Sequence, residues 1–75
     1  MMYINRLQEY CQKNNLYLPN YTFTSFMIKD KTYWTACCHI NTGTTYIQGW
    51  NDTRLSTKKN AKMEAAQSAL SQLHY

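Results

Sequence analysis

The chain has two glycines, one proline and four carboxylate side chains in 75 residues, and no apolar run approaching eighteen. Each shortage removes a class of protein. There is no Gly-rich loop to cradle nucleotide phosphates and no nucleophile elbow. The four acids form no pair at a spacing suited to general acid–base work, so an enzyme is the class least expected. No segment is long and apolar enough for a membrane helix, and residues 1–6 lack the apolar stretch of a signal peptide. Cysteine is sparse too. Cys11, Cys37 and Cys38 do not form a disulfide framework and suit a reducing compartment, so the expected location is intracellular, cytoplasmic or nuclear. A zinc site from Cys37, Cys38 and His39, completed by Cys11 and His74, is disfavoured. Adjacent strand residues point to opposite faces, and there is no Cys-x-x-Cys pair. No metal, cofactor, small-molecule substrate or membrane partner is expected. Repeats, low-complexity tracts and linkers are absent, so residues 1–75 read as one domain.

What is present is aromatic and locally basic. Two Trp, seven Tyr and two Phe within a hydrophobic content of 44% supply a core and exclude a disordered chain. The length is close to the smallest that one core can stabilise alone. The net charge of +4 is concentrated, with Arg54, Lys58, Lys59 and Lys62 falling within nine positions. From Ser56 to Leu70 the residues favour helix, with Ser56 or Thr57 as N-cap. At about 100° per residue, Ala65, Ala66, Ala69, Leu70 and Leu73 share one side, and Asn60, Glu64, Gln67, Ser68 and Ser71 the other. Lys58, Lys59 and Lys62 project above the apolar stripe instead of opposite it. Three cations in the first turns oppose the helix dipole, a cost that points to a polyanionic partner.

Lys58-Lys59-Asn60-Ala61-Lys62-Met63-Glu64-Ala65-Ala66, followed by Ala69-Leu70, resembles the final helix of the double-stranded RNA-binding domain, which opens Lys-Lys-x-Ala-Lys-x-x-Ala-Ala. The rest of the chain can be set beside that resemblance. Tyr3 to Asn14 reads as a helix with Ile4, Leu7, Tyr10 and Cys11 inward. Its other stripe, Asn5, Gln8, Glu9 and Gln12, is either a solvated face or a set of hydrogen-bonding groups for the 2′-hydroxyls and base edges of an A-form minor groove. Leu7-Gln8-Glu9-Tyr10 is similar to the Leu-Gln-Glu segment of the family's first helix, which implies the second use. Leu16 to Asn20 is a connection, and Pro19 biases Leu18 away from helix. Tyr21, Phe23 and Ser25 alternate with Thr22 and Thr24 in a first strand, with Tyr21 and Phe23 expected in the core.

Phe26 to Thr32 reads as a connection between strands, and here the chain departs from the family. The usual Gly-Pro-x-His element, whose His enters a second minor groove, is missing. Lys29 and Lys31 are candidate phosphate contacts in its place, and Phe26, Met27 and Ile28 a candidate protein-binding patch. Tyr33 to Asn41 is a second strand, with Trp34, Ala36, Cys38 and Ile40 on one face and Trp34 expected to anchor the core. It is similar to the family's Phe-x-Val-x-Cys-x-Val. A turn at Asn41-Thr42-Gly43 leads to a third strand, Thr44 to Gly49. Residues 50–55 then lead to the last helix, with Arg54 a further candidate phosphate ligand.

The pattern gives an α+β fold of order αβββα, a three-stranded antiparallel sheet with both helices on one face. The resemblance implies a non-catalytic module for double-stranded RNA that reads A-form shape through phosphate and 2′-OH contacts, largely independent of sequence. Asn5, Gln8, Glu9, Gln12, Lys58, Lys59 and Lys62 are its expected contacts. The competing expectation is a protein-docking or homodimerising module on the same fold, using Phe26 to Ile28 and the outer sheet face.

Overall fold

The computed structural model describes residues 2–51 and 57–73. Arg54, Ser56 and His74 lie outside the described residues. The elements are α1 (Met2–Lys13), β1 (Asn20–Ile28), β2 (Lys31–Asn41), β3 (Tyr46–Trp50) and α2 (Lys58–Gln72). The strands form one antiparallel sheet in the order β1-β2-β3. α2 lies on β2 and β3, and α1 packs against α2. The core between them contains Leu7 and Cys11 of α1, Ala36, Cys38 and Ile40 of β2, Ile47 of β3, and Ala61, Ala65, Ala66, Ala69 and Leu70 of α2. These are the apolar stripes that the 3.6-residue and two-residue periods place on single faces.

Local chemistry fixes the ends of the elements. Asn15 takes φ 56, while its N–H donates to Gln12 O (3.3 Å) and that of Leu16 to Cys11 O (2.8 Å). This is the Schellman arrangement, and Leu16 then packs on the core. At α2, Thr57 is the N-cap, its hydroxyl oxygen accepting from Asn60 N at 3.2 Å. The second turn is longer than Asn41-Thr42-Gly43. Thr42 N donates to Thr45 O (2.9 Å), Gly43 N to Asn41 Oδ1 (2.9 Å), and Gly43 takes φ +90. Thr44 and Thr45 therefore belong to the turn, and β3 begins at Tyr46.

The first hairpin differs most from expectation. Phe26 to Thr32 is not a loop, because β1 continues to Ile28, β2 begins at Lys31, and only Lys29 and Asp30 turn the chain. Both have positive φ, 50 and 65, as a two-residue type I′ turn requires. The register continues past Ser25↔Trp34 through Phe26↔Tyr33, Met27↔Thr32 and Ile28↔Lys31, which carries the hairpin about 10 Å further at a strand rise of about 3.4 Å per residue. The molecule is accordingly elongated, 43 × 22 × 17 Å. This also divides the proposed apolar patch. Phe26 and Ile28 share the face turned away from the helices, where Phe26 stacks on Tyr33 at 6.0 Å, while Met27, 67% exposed, is on the opposite face.

Two residues of the sheet govern how α2 sits. A Cβ on Gly49 would lie 2.6 Å from Ala65 O and 2.8 Å from Ala69 Cα, and closer still to Ala69 N, so only glycine lets the helix backbone approach the strand this closely. Beyond β3, Asn51 extends the pairing with its side chain: Oδ1 accepts from Ala36 N at 2.8 Å and Nδ2 donates to Trp34 O at 3.2 Å. Trp34 does not anchor the core as expected. It is half-buried at the margin, because the strand runs past the helices there, and Ala36, Cys38 and Ile40 fill the centre.

Candidate nucleic-acid interface

The first turns of α2 project over the edge of the sheet, as the overhanging lysines predict. The ammonium of Lys58 lies 4.5 Å from the centre of the Phe23 ring and 5.5 Å from that of Trp34, and Lys62 Nζ is 4.7 Å above the Tyr21 ring. Cation–π contacts of this kind contribute about 0.5–1 kcal/mol at exposed sites. They hold two flexible stems in place without neutralising the charge. Lys59 is exposed on the adjoining surface. The rings come from alternate positions of β1 and from β2, on the helix side of the sheet, so Tyr21, Phe23 and Trp34 act as platforms for the cations as well as core margin. The sequence pattern favours the core over base stacking for Tyr21 and Phe23 and the core for Trp34, and does not mark the three rings as supports for cations. The signal was present, since lysines above an apolar stripe need something beneath them.

Asn5, Gln8, Glu9 and Gln12 are all exposed on α1 and border one shallow surface depression. The two groups meet at a cleft of about 200 Å³ lined by Ile4, Gln8, Leu18, Pro19, Tyr21 and Lys62, so the amide of Gln8 and the ammonium of Lys62 share one opening. Lys29 and Lys31 are exposed at the far end of the first hairpin and join neither group. Among the described residues, no three His, Cys, Asp or Glu side chains gather where a metal could be held, and Cys37 and Cys38 occupy opposite sheet faces as strand neighbours must. No described helix is long and apolar enough to cross a membrane.

Beneath the lysines the sheet is uncharged. Tyr21 is the register partner of Cys38. Burial pushes the Tyr21 phenol above its ordinary 10.0 and the Cys38 thiol up to about 11, and the thiol of Cys11 rises for the same reason. These groups stay neutral at physiological pH, so the positive charge of the lysines faces no compensating anion from the sheet. The arrangement is a line of supported cations bordering a row of amide and carboxylate hydrogen-bonding groups, suited to a polyanion whose phosphates lie beside a groove rich in hydroxyls.

The family model for the double-stranded RNA binding motif matches residues 3–73, and the chain belongs to that family. This is a family of binding domains without catalytic function. A structure of Arabidopsis HYL1, described for its implications for miRNA processing, superposes with a TM-score of 0.79 at 24% identity over 100% of both chains, a likeness of fold. The first double-stranded RNA-binding domain of HYL1 gives 0.71 at 26% identity over 92% of each chain. The second such domain of DRB4 gives 0.68 at 28% identity, covering 96% of this chain and 94% of that one. No curated protein sequence matches the chain.

Proposed function

We propose that residues 1–75 act as one non-catalytic module that binds double-stranded RNA by its A-form shape, with little dependence on sequence. The observation that carries this reading is the support of Lys58 and Lys62 on the Phe23, Trp34 and Tyr21 rings, with Gln8 of α1 sharing the cleft beside Lys62. In this reading Lys58, Lys59 and Lys62 contact phosphates across a major groove, while Asn5, Gln8, Glu9 and Gln12 meet 2′-hydroxyls and base edges in the adjoining minor groove. Lys29 and Lys31 reach further phosphates from the hairpin tip, and Arg54 is a further cation for the same purpose. A site of about 16 base pairs would be covered. An intracellular setting, and a role in RNA processing or silencing like the miRNA processing named for the HYL1 structure, belong to the same proposal.

The test is the salt dependence of binding. Affinity falls as phosphate contacts are exchanged for counterions. Each single change of Lys58, Lys59 or Lys62 to Ala is expected to lower the slope of log K against log salt by about one. An unchanged slope removes that lysine from the interface.

A second reading, a protein-docking or homodimerising module, is favoured by the outer sheet face. Tyr46 and Trp50 of the edge strand β3 are 59% and 53% exposed there. Tyr46 stacks on His39 at 5.8 Å, with its hydroxyl 2.7 Å from His39 Nδ1. Sedimentation equilibrium separates the readings: a monomer at high micromolar concentration removes the homodimer.

A further inference from the structure

The cleft shared by Gln8 and Lys62 joins polar groups to an apolar wall that contact with a regular duplex does not use. Ile4, Leu18, Pro19 and the ring of Tyr21 form its sides, and Leu18 stands 54% exposed. A fully paired A-form helix presents phosphates, hydroxyls and base edges in its shallow groove, and none of these gains from burial against such walls. An unpaired base does. It has two apolar faces, a polar edge and a phosphate on either side of its sugar. We infer that this cleft receives a single unpaired base extruded from an RNA duplex, so that the domain prefers bulged or mismatched duplexes to perfect ones. This rests on the duplex-RNA reading above and adds to it the RNA feature selected.

Size and chemistry both fit one nucleotide. The cleft, about 200 Å³, is smaller than the roughly 300–1,000 Å³ sites that take drug-sized molecules, which limits the occupant to about one ring system. Leu18 and Pro19 offer apolar surface for the base faces, while the Tyr21 ring face carries the Lys62 ammonium; apolar and aromatic surfaces of this kind commonly hold unstacked RNA bases. The Gln8 amide carries both a donor and an acceptor for the base edge. Lys62, over the Tyr21 ring, is at the opening, where a phosphate flanking the extruded nucleotide passes. Bringing the base out is least costly where it is already unpaired. That makes the cleft selective for a defect in the duplex, independent of the sequence around it.

The experiment compares the protein's affinity for a fully paired RNA duplex with its affinity for the same duplex carrying one bulged adenosine, at one salt concentration, for the natural chain and for Leu18→Ser. Leu18 is exposed, so the change removes part of the wall without opening the core. The natural chain is expected to bind the bulged duplex on the order of tenfold more tightly, about 1.4 kcal/mol. Leu18→Ser is expected to bring the ratio of the two affinities close to one. The Leu18 methyl resonances should shift with the bulged RNA and not with the paired RNA. Equal affinity for the two duplexes overturns the inference and leaves the duplex-binding reading standing, as does a preference that survives Leu18→Ser. Binding to neither RNA at low salt overturns both.

Discussion

Replacing Gly49 with Ala adds one methyl group at the point where β3 and α2 come closest, and the structure sets the size of the effect. The new Cβ would lie 2.6 Å from Ala65 O and 2.8 Å from Ala69 Cα, where ordinary contact begins at 3.4 Å. The neighbours are helix backbone, so no side chain can rotate away and α2 must retreat by about 1 Å. Overpacking of this kind costs about 1–3 kcal/mol, against a total stability of about 4–11 kcal/mol for a domain of this length. At about 4–8 °C per kcal/mol, Tm should fall by on the order of 10 °C, readable by circular dichroism. Adding Ala69→Gly should not restore it, because the obstructing atoms include the backbone N and Cα at that position, and glycine there costs about a further 1 kcal/mol of helix stability. The shift should also weaken RNA binding below the melting range, since the same helix carries Lys58 and Lys62 over their rings. An unchanged Tm, or recovery in the double variant, would refute the close approach of helix and strand.

Two further outcomes follow from buried polar groups. Asn51→Ala leaves the N–H of Ala36 without its 2.8 Å acceptor and should cost about 1–3 kcal/mol in urea unfolding, whereas an exposed loop residue would cost almost nothing. Burial raises the Cys38 thiol from 9.0 to about 11, so the folded state keeps a proton that the unfolded chain releases. Stability is then intact below pH 9 and falls between pH 9 and 11, by about 3 kcal/mol from this group. Cys38→Ala should flatten that decline whatever it does to stability at neutral pH, and an equally steep decline in the variant would count against the buried thiol.

The helices were legible because their burial follows the 3.6-residue period. Leu7 and Cys11, and the alanines of α2, are buried where the pattern places them. The first hairpin was not legible because nothing local marks it. Its turn needs two residues with positive φ, and Lys29-Asp30 lacks the Asn-Gly signature that announces such a turn. Phe26 to Ile28, three consecutive apolar residues without alternation, therefore read as a loop, although in the structure their burial alternates as in a strand. Gly49 looked like the end of a strand, since its function depends on a helix sixteen or more positions away in the chain coming to rest on it, which no local pattern encodes. Asn51 similarly reads as linker until its amide is seen paired with β2. At the candidate interface the charged residues are apparent from their spacing, while the rings beneath them and the cleft at Leu18 and Pro19 emerge only from the contact of three elements.

The measurement that bears most directly on function is fluorescence anisotropy of the protein with duplex RNA, duplex DNA of the same sequence and single-stranded RNA across a salt series, repeated with Lys58, Lys59 and Lys62 all changed to Ala. A clear preference for duplex RNA is expected, steeply salt-dependent and abolished by the triple change. Equal binding to all three nucleic acids, or a duplex preference untouched by loss of the three lysines, would contradict it.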